Sequence, residues 1–156
     1  MNQSLLVSTM NSRRAFRVFG SLHPMLSVWN GPGGRSDDIN KLIYRLSMMC
    51  VCLWHWLDHI RYLSVLRWID SAKEGPLRKL SFSLHTFGRF LLFIYHYRLL
   101  RSARTETDRR QSRIQVAKAC MDVVTFAHVS ELYPTSDLVC GTLGATSSAI
   151  DLALMW

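Results

Sequence analysis

A pair of histidines one helical turn apart is the first candidate for chemistry in this sequence. His55 and His59 stand four residues apart, and Asp58 directly precedes the second of them. On a helix this spacing brings two imidazoles to one face, next to an acid that could serve as a base in zinc chemistry. A zinc site also needs a third ligand and an aqueous cleft, whereas Trp54, Trp56 and leucines surround this pair. We therefore expect the histidines to lie on a core or interfacial face and to hold no metal.

The other familiar catalytic patterns do not occur in the sequence. It has no GxSxG nucleophile turn, no phosphate-binding P-loop and no GxGxxG dinucleotide motif, and its eleven acids are scattered along the chain. The cysteines include no CxxC pair, so we expect reduced thiols without a disulfide or metal role; they are Cys50, Cys52, Cys120 and Cys140. The sequence therefore predicts a protein that is not an enzyme and carries no cofactor.

Arg89 is the second residue whose position calls for a chemical explanation. It lies near the middle of residues 80–100, a largely apolar stretch in which Arg98 is the other permanent charge. Insertion scales put the cost of an arginine at the centre of a membrane helix at about 2.5 to 3.5 kcal/mol. We expect this stretch to be a span or a deeply embedded helix, with Arg89 as a buried charge or as the lining of a pore.

The composition favours a membrane surface as the partner. Of the 156 residues 49% are apolar, and the charged 19% lies below the quarter that is usual for soluble domains. A net charge of +8 requires an anionic partner. Nucleic-acid modules usually gather their basic residues on a polar domain, whereas arginine here interrupts long apolar runs. We therefore expect anionic membrane lipids, and no nucleic acid, as partners.

Residues 1–40 are expected to form a basic, partly disordered segment ahead of a helical membrane domain at 41–156. Residues 1–36 contain no acid, and the mixture of basic and apolar residues at 12–26 predicts a short amphipathic helix. There is no apolar core with a cleavage site, but an acid-free start rich in Arg and Ser also matches a mitochondrial presequence. A mitochondrial membrane location therefore stays open, and the residues expected at the membrane surface are Arg13, Arg14, Phe16, Arg17 and Phe19.

The remaining pattern predicts an all-α protein, a membrane-associated helical bundle. Between Ser36 and Glu74 there is neither Gly nor Pro, which predicts one long helix or two in tandem. Its fully apolar part at 46–57 would be about 18 Å long, too short for a hydrocarbon core of about 30 Å. Residues 101–113 are strongly basic and read as a polar loop or as the start of the next helix, which we expect at 114–132.

The last segment, residues 138–156, has about the length of one bilayer core as a helix, roughly 28 Å. In lipid, small side chains let two helix backbones approach closely. We therefore expect a C-terminal membrane-spanning or deeply embedded helix with a packing face, used within the chain more than between chains. A soluble bundle core is the alternative. The residues of this face are Gly141, Gly144, Ala145, Ser148, Ala149 and Ala153.

Four blocks occur in an order that is found in a known membrane-protein family. Residues 12–17 read SRRAFR, residues 56–70 read WLDHIRYLSVLRWID, and residues 118–128 read KACMDVVTFAH. The fourth block is GTLGATSSAI at 141–150, with Trp156 at the end. They resemble, in turn, the SRKxFR motif, the "LDH, then WL, then GLLD" stretch, LRNLLDLPIALH and the terminal GLLGTISSLIGLYQLW of the eleventh peroxin family. The resemblance covers roughly residues 12–20 and 45–156.

This resemblance implies a peroxisomal or glycosomal membrane protein that promotes membrane elongation, proliferation and fission. Amphipathic helices would insert into the cytosolic leaflet, the chain would form homo-oligomers, and the organelle fission machinery would be a further partner. Compared with the family, the N-terminal region is shortened and the GLLD block lacks its glycine. The alternatives are a pore or carrier for small metabolites, a mitochondrial membrane protein and a soluble basic interaction protein.

Overall fold

The described part of the chain is helical throughout its regular structure. The computed structural model describes residues 22–32, 37–65, 68 and 74–155. Within these ranges there are helices and connecting turns and no strand, so the predicted all-α class is confirmed. The helices are α1 (Leu22–Asn30), α2 (Asp38–Val65), α3 (Glu74–Ser102), α4 (Glu106–Val129) and α5 (Asp137–Met155).

The helices begin where side chains satisfy the first free backbone N–H groups. At α2 the Asp37 carboxylate accepts a hydrogen bond from the backbone N–H of Asn40, at 2.7 Å. At α4 the Thr105 hydroxyl accepts from the N–H of Asp108, at 3.1 Å, so most of the basic segment 101–113 belongs to a helix. In α3, Gly75 and Pro76 lie in the first turn, where a proline costs no hydrogen bond.

The five helices pack in the order in which they follow each other along the chain. Within the described residues, α1 packs on α2, α2 on α3, α3 on α4, and α4 on α5. α3 therefore lies between α2 and α4 and connects both halves of the array. The links are short, with three residues between α3 and α4 and seven between α4 and α5, as is typical of antiparallel neighbours.

Burial in this array is inverted relative to an ordinary globular core, since polar residues line the helix contacts and large apolar ones face outward. Among the described residues, the buried apolar side chains are Met48, Val51, Tyr95 and Ala119. The buried polar or charged ones include Asn40, Ser47, Asp58, Arg61, Ser81, His85, Thr86, Lys118, Asp122, Ser130 and Ser147. Hydrogen bonds, ion pairs and small side chains therefore contribute to the helix contacts, together with aromatic rings such as Trp54 and Phe126, which pack on His85.

A membrane-spanning helix was expected at 138–156 or, with Arg89 inside it, at 80–100. None of the described helices combines the length and the apolar character that crossing a membrane requires. The spanning form of the prediction is therefore wrong for α3 and α5. α5 carries Asp137 and Asp151 besides its Gly, Ser and Thr residues, and α3 carries two histidines in addition to its arginines.

Candidate functional site

A buried ion-pair cluster joins α3, α4 and α5, and Asp122 is at its centre. Lys118 Nζ lies 2.9 Å from Asp122 Oδ2, and one guanidinium nitrogen of Arg89 lies 3.2 Å from the same oxygen. The Ser147 hydroxyl donates a hydrogen bond to Asp122 Oδ1. Three helices therefore meet at one carboxylate that is only 7% exposed.

Helical spacing places the members of this cluster. Lys118 and Asp122 stand four residues apart on α4, and Ser147 and Asp151 stand four apart on α5, so each pair lies on one face. Asp151 Oδ2 comes within 3.2 Å of Lys118 Nζ. With Arg89 the cluster contains two cations and two carboxylates. This balance allows charges to be buried that would be strongly destabilising alone.

Arg89 has further contacts that hold it inside the helix array. Its Nε donates to Nε2 of His85 at 3.2 Å, and its guanidinium carbon lies 5.8 Å from the centre of the Phe126 ring. The side chain is 25% exposed. Of the two interpretations of Arg89, these contacts correspond to the buried charge.

His85 is an uncharged centre between α2 and α4. Its side chain is 1% exposed, and its ring centre lies 4.1 Å from that of Trp54 and 4.0 Å from that of Phe126. Burial, followed by the positive charge of Arg89 among its neighbours, lowers the pKa of His85 to about 2. The neutral ring can therefore accept a hydrogen bond from Arg89, while its Nδ1 has no partner among the described residues.

A glycine allows α2 and α3 to approach closely. A Cβ on Gly88 would come within 2.9 Å of Cys50 Cβ and 3.2 Å of the Ser47 carbonyl oxygen. The Ser47 hydroxyl donates to the Gly88 carbonyl across the contact at 2.8 Å. Small residues and interhelical hydroxyl bonds of this kind are typical of helices that pack in lipid.

The side of α2 away from α3 is apolar and exposed. Its side chains follow a spacing of three and four residues, which is one face of a helix. We call this surface the outer stripe; its exposures are Ile39 58%, Leu42 57%, Leu46 41%, Met49 47%, Leu53 49% and Trp56 55%. On α1 the large apolar side chains are also exposed: Leu22, Met25, Leu26 and Trp29.

The small-residue face predicted on the last helix is placed differently from the expectation. α5 packs on α4 through Ser147, whose hydroxyl hydrogen-bonds to Asp122, through the Cys140 thiol, which lies 3.8 Å from the Thr125 carbonyl oxygen, and through Gly144, where a Cβ would lie 3.6 Å from the Thr125 methyl. Gly144 is therefore the one predicted member at this contact. The other predicted residues of the small-residue face are exposed, so α4 does not pack on them. They are Gly141, Ala145, Ser148, Ala149 and Ala153.

Two further predictions concern the N-terminus and the histidine pair. The predicted membrane-surface residues lie outside the described residues: Arg13, Arg14, Phe16, Arg17 and Phe19. Asp58, next to His59, is 3.1 Å from Arg61 in an ion pair that is almost fully buried. In the described part of the chain no three His, Cys, Asp or Glu side chains are grouped as metal ligands would be.

Sequence reasoning missed Asp122, Ser147 and His85 as members of one site. The available signals were an arginine inside an apolar helix, a Lys and an Asp four residues apart, and an acid near the end of an apolar segment. Each was interpreted locally, because a sequence does not state which helices are neighbours.

Comparison of the chain with protein-family models, with curated proteins and with solved structures found no match.

Proposed function

We propose that this chain is a membrane protein of the peroxisome or glycosome that promotes elongation, proliferation and fission of the organelle membrane. It acts mechanically, by inserting apolar helix faces into the cytosolic leaflet and by associating with copies of itself. The observation that carries the proposal is the inverted burial, with ion pairs between the helices and large apolar side chains on the outside. The organelle comes from the resemblance to the eleventh peroxin family.

The inverted burial supports lipid contact because it reverses the driving force of a soluble fold. In water, apolar side chains such as Leu46, Leu53 and Trp56 gain free energy by leaving the solvent, at about 25 cal/mol per Å². In the isolated chain they remain outside, and contiguous exposed apolar surfaces are typical of protein or membrane contact sites. A lipid leaflet would cover the outer stripe and the apolar face of α1 together.

The basic residues near the α3–α4 turn also support contact with a membrane surface. All five arginines of segment 101–113 are exposed, and each cation close to an anionic surface adds about 1 kcal/mol of attraction. They are Arg101, Arg104, Arg109, Arg110 and Arg113. Apolar side chains in the leaflet and arginines at the phosphates would widen one side of the bilayer and favour curvature.

Self-association is assigned to the exposed small-residue face of α5. Since α4 does not occupy Gly141, Ala145 or Ala149, another helix can approach them closely. A second copy of the chain is the partner that we propose, and the fission machinery would act on the assembled protein.

The location of a tagged chain tests the organelle. A fluorescent fusion should coincide with a peroxisomal marker and remain in the membrane pellet after alkaline carbonate extraction. A mitochondrial signal would contradict the assignment to the peroxin family, and release by carbonate would contradict membrane insertion.

Vesicle remodelling tests the mechanism. The purified chain should tubulate acidic vesicles, and Leu46→Asp with Leu53→Asp in the outer stripe should abolish tubulation because two carboxylates would then face the lipid. Phe16→Asp tests the N-terminal segment in the same assay. Leu132→Asp is the matched control, since Leu132 is 61% exposed but lies in the α4–α5 loop. Equal loss with the control variant would remove the outer stripe from the mechanism.

A further inference from the structure

A cavity that is open to solvent lies at the turn between α3 and α4, and its lining residue His96 is close enough to Lys118 of the ion-pair cluster to feel its charge. Its volume is about 760 Å³, within the roughly 300 to 1,000 Å³ of small-ligand sites. The lining includes Leu99 and Ser102 of α3, Arg104 in the turn, and Asp108, Gln111 and Gln115 of α4.

Two opposite charges line this cavity without pairing. Among the described residues, neither Arg104 nor Asp108 has an ion-pair partner, although both line the cavity and both are exposed. The neighbouring acid Glu106 behaves differently, since it lies 3.7 Å from Arg109 and 3.9 Å from Arg113. One guanidinium and one carboxylate therefore remain free for a bound molecule.

The rest of the lining is neutral and rich in hydrogen-bonding groups. Ser102, Gln111 and Gln115 provide hydroxyl and amide groups, and Leu99 adds an apolar surface. His96 adds no charge near neutral pH, because burial and, less strongly, Lys118 lower its pKa to about 4. The lining carries one positive and one negative side chain and no net charge. It therefore complements a zwitterion, a ligand that also carries one positive and one negative group.

We propose that this cavity binds a zwitterionic phosphate ester of the phosphoethanolamine class. Arg104 binds the phosphate, since a guanidinium matches two phosphate oxygens at once, and the glutamine amides donate to the remaining oxygens. Asp108 binds the ammonium group. The cavity has room for the glycerol portion as well, which would lie against Leu99. The class of ligand is inferred from the lining alone. The inference that a membrane lipid supplies this headgroup rests on the proposed membrane function.

Binding of the soluble headgroup tests the site without a membrane. The full chain in a non-ionic detergent is titrated calorimetrically with glycerophosphoethanolamine, glycerol phosphate and ethanolamine. We expect saturable binding of the zwitterion, with each half-ligand at least about tenfold weaker. Arg104→Gln and Asp108→Asn should each weaken the zwitterion by about tenfold or more, as expected for the loss of a charge-assisted bond. Arg110→Gln, an exposed arginine of the same segment outside the cavity lining, should leave binding unchanged.

Three results would overturn the proposal. The first is an absence of saturable binding of glycerophosphoethanolamine. The second is that glycerol phosphate binds as tightly as the zwitterion and that its affinity rises in Asp108→Asn. The third is that Arg110→Gln weakens binding as much as the cavity variants do. Circular dichroism of each variant ensures that binding is compared between folded chains.

The source of the headgroup is read from flotation with phosphatidylcholine vesicles that contain or lack phosphatidylethanolamine. Enhanced flotation that both cavity variants lose indicates the lipid, while zwitterion binding without this preference indicates the free ester. Failure of the vesicle remodelling test would leave the calorimetric result unaffected, so the two proposals fail separately.

Discussion

The ion-pair cluster around Asp122 and the outer stripe of α2 have opposite relations to solvent. The cluster holds Arg89, Lys118 and Asp122 between helices, with Asp122 7% exposed, and Asp151 joins it from the edge with a side chain that is 53% exposed. The outer stripe holds six large apolar side chains, each more than 40% exposed. In an aqueous fold each set would be placed at the other's position.

Helix pairing and contact with a lipid leaflet or another chain are therefore assigned to separate surfaces of the molecule. Between the helices, Gly88 and Ser47, the charges of the cluster and the rings around His85 provide the close packing, and the large apolar residues of the outer stripe take no part in it. They remain available for a lipid leaflet or another chain. We therefore assign stability to the inner contacts and membrane binding to the outer stripe, and substitutions in the two regions should separate these two properties.

The largest effect is expected at the centre of the cluster. Asp122→Leu would leave Lys118 and Arg89 buried without this carboxylate, which should lower the free energy of unfolding by about 3 to 5 kcal/mol. Denaturant unfolding followed by circular dichroism in non-ionic detergent measures this change. Glu106→Leu is the control, because its partners are exposed arginines and such pairs contribute about 1 kcal/mol or less. Equal costs for the two variants would contradict the buried role of Asp122.

Acid should destabilise the fold through two histidines. The pKa is lowered to about 2 at His85 and to about 4 at His96, against about 6.5 in an unfolded chain. The unfolded state therefore binds more protons below pH 6.5, and stability falls as pH falls, by about 1.4 kcal/mol per pH unit for each histidine.

Between pH 6.5 and 4 both histidines contribute to this fall in the free energy of unfolding. Below pH 4, of these two histidines, His85 still contributes and His96 does not. His85→Phe, which keeps an aromatic ring between Trp54 and Phe126, should halve the slope above pH 4. Denaturant midpoints measured at successive pH values provide the test. A slope that the variant leaves unchanged would show that acid acts elsewhere.

A smaller effect is expected at the α2–α3 contact. Gly88→Ala places a methyl group 2.9 Å from Cys50 Cβ. Overpacking costs about 1 to 3 kcal/mol, which should exceed the gain of at most about 1 kcal/mol from the better helix propensity of alanine. At Gly141 a Cβ meets nothing within 4 Å, so Gly141→Ala should stabilise α5 slightly. Thermal unfolding of both variants measures this contrast, and equal shifts of the same sign would contradict it.

The smallest effect on stability is expected at the outer stripe. Leu46→Ser and Leu53→Ser should each change the free energy of unfolding in detergent by about 0.5 kcal/mol or less, because both side chains are already exposed. Together they should reduce partitioning into vesicles by roughly thirtyfold, since transfer of the exposed part of two leucine side chains from water into lipid contributes about 2 kcal/mol. Sedimentation with liposomes measures partitioning. Normal partitioning combined with lost stability would reverse the assignment of the two surfaces.

Much of the helical order was predictable from local signals. The absence of Gly and Pro over 36–74 predicted the long helix α2, which ends at Val65, and the helix expected at 114–132 begins eight residues earlier, at Glu106. The spanning character of the last segment was not predicted correctly. Length and small-residue spacing favoured a span, whereas its carboxylates and hydroxyl residues lower its apolar character.

The candidate site could be predicted only in part. Arg89 was singled out because a charge in an apolar helix needs a partner, but its partner Asp122 is more than thirty residues away. The same distance problem applies to Ser147, whose hydroxyl reaches the cluster only because α5 folds back on α4. The small-residue face was recognised, and which side of α5 contacts α4 was not.

Helical class, basic charge and the apolar character of the outer stripe follow from the order of the residues, because propensity, net charge and periodicity are local properties. Two features follow from the packing of the helices: Arg89, Lys118, Asp122 and Asp151 neutralise one another, and most of the small residues of α5 remain exposed. These features depend on which helices are neighbours and on their rotation. Rotation is set by the free energy of burying unpaired charge, since a rotation of α4 about its axis that separated Asp122 from Arg89 would leave the Arg89 guanidinium without its carboxylate partner, while Asp122 would keep Lys118 on its own helix.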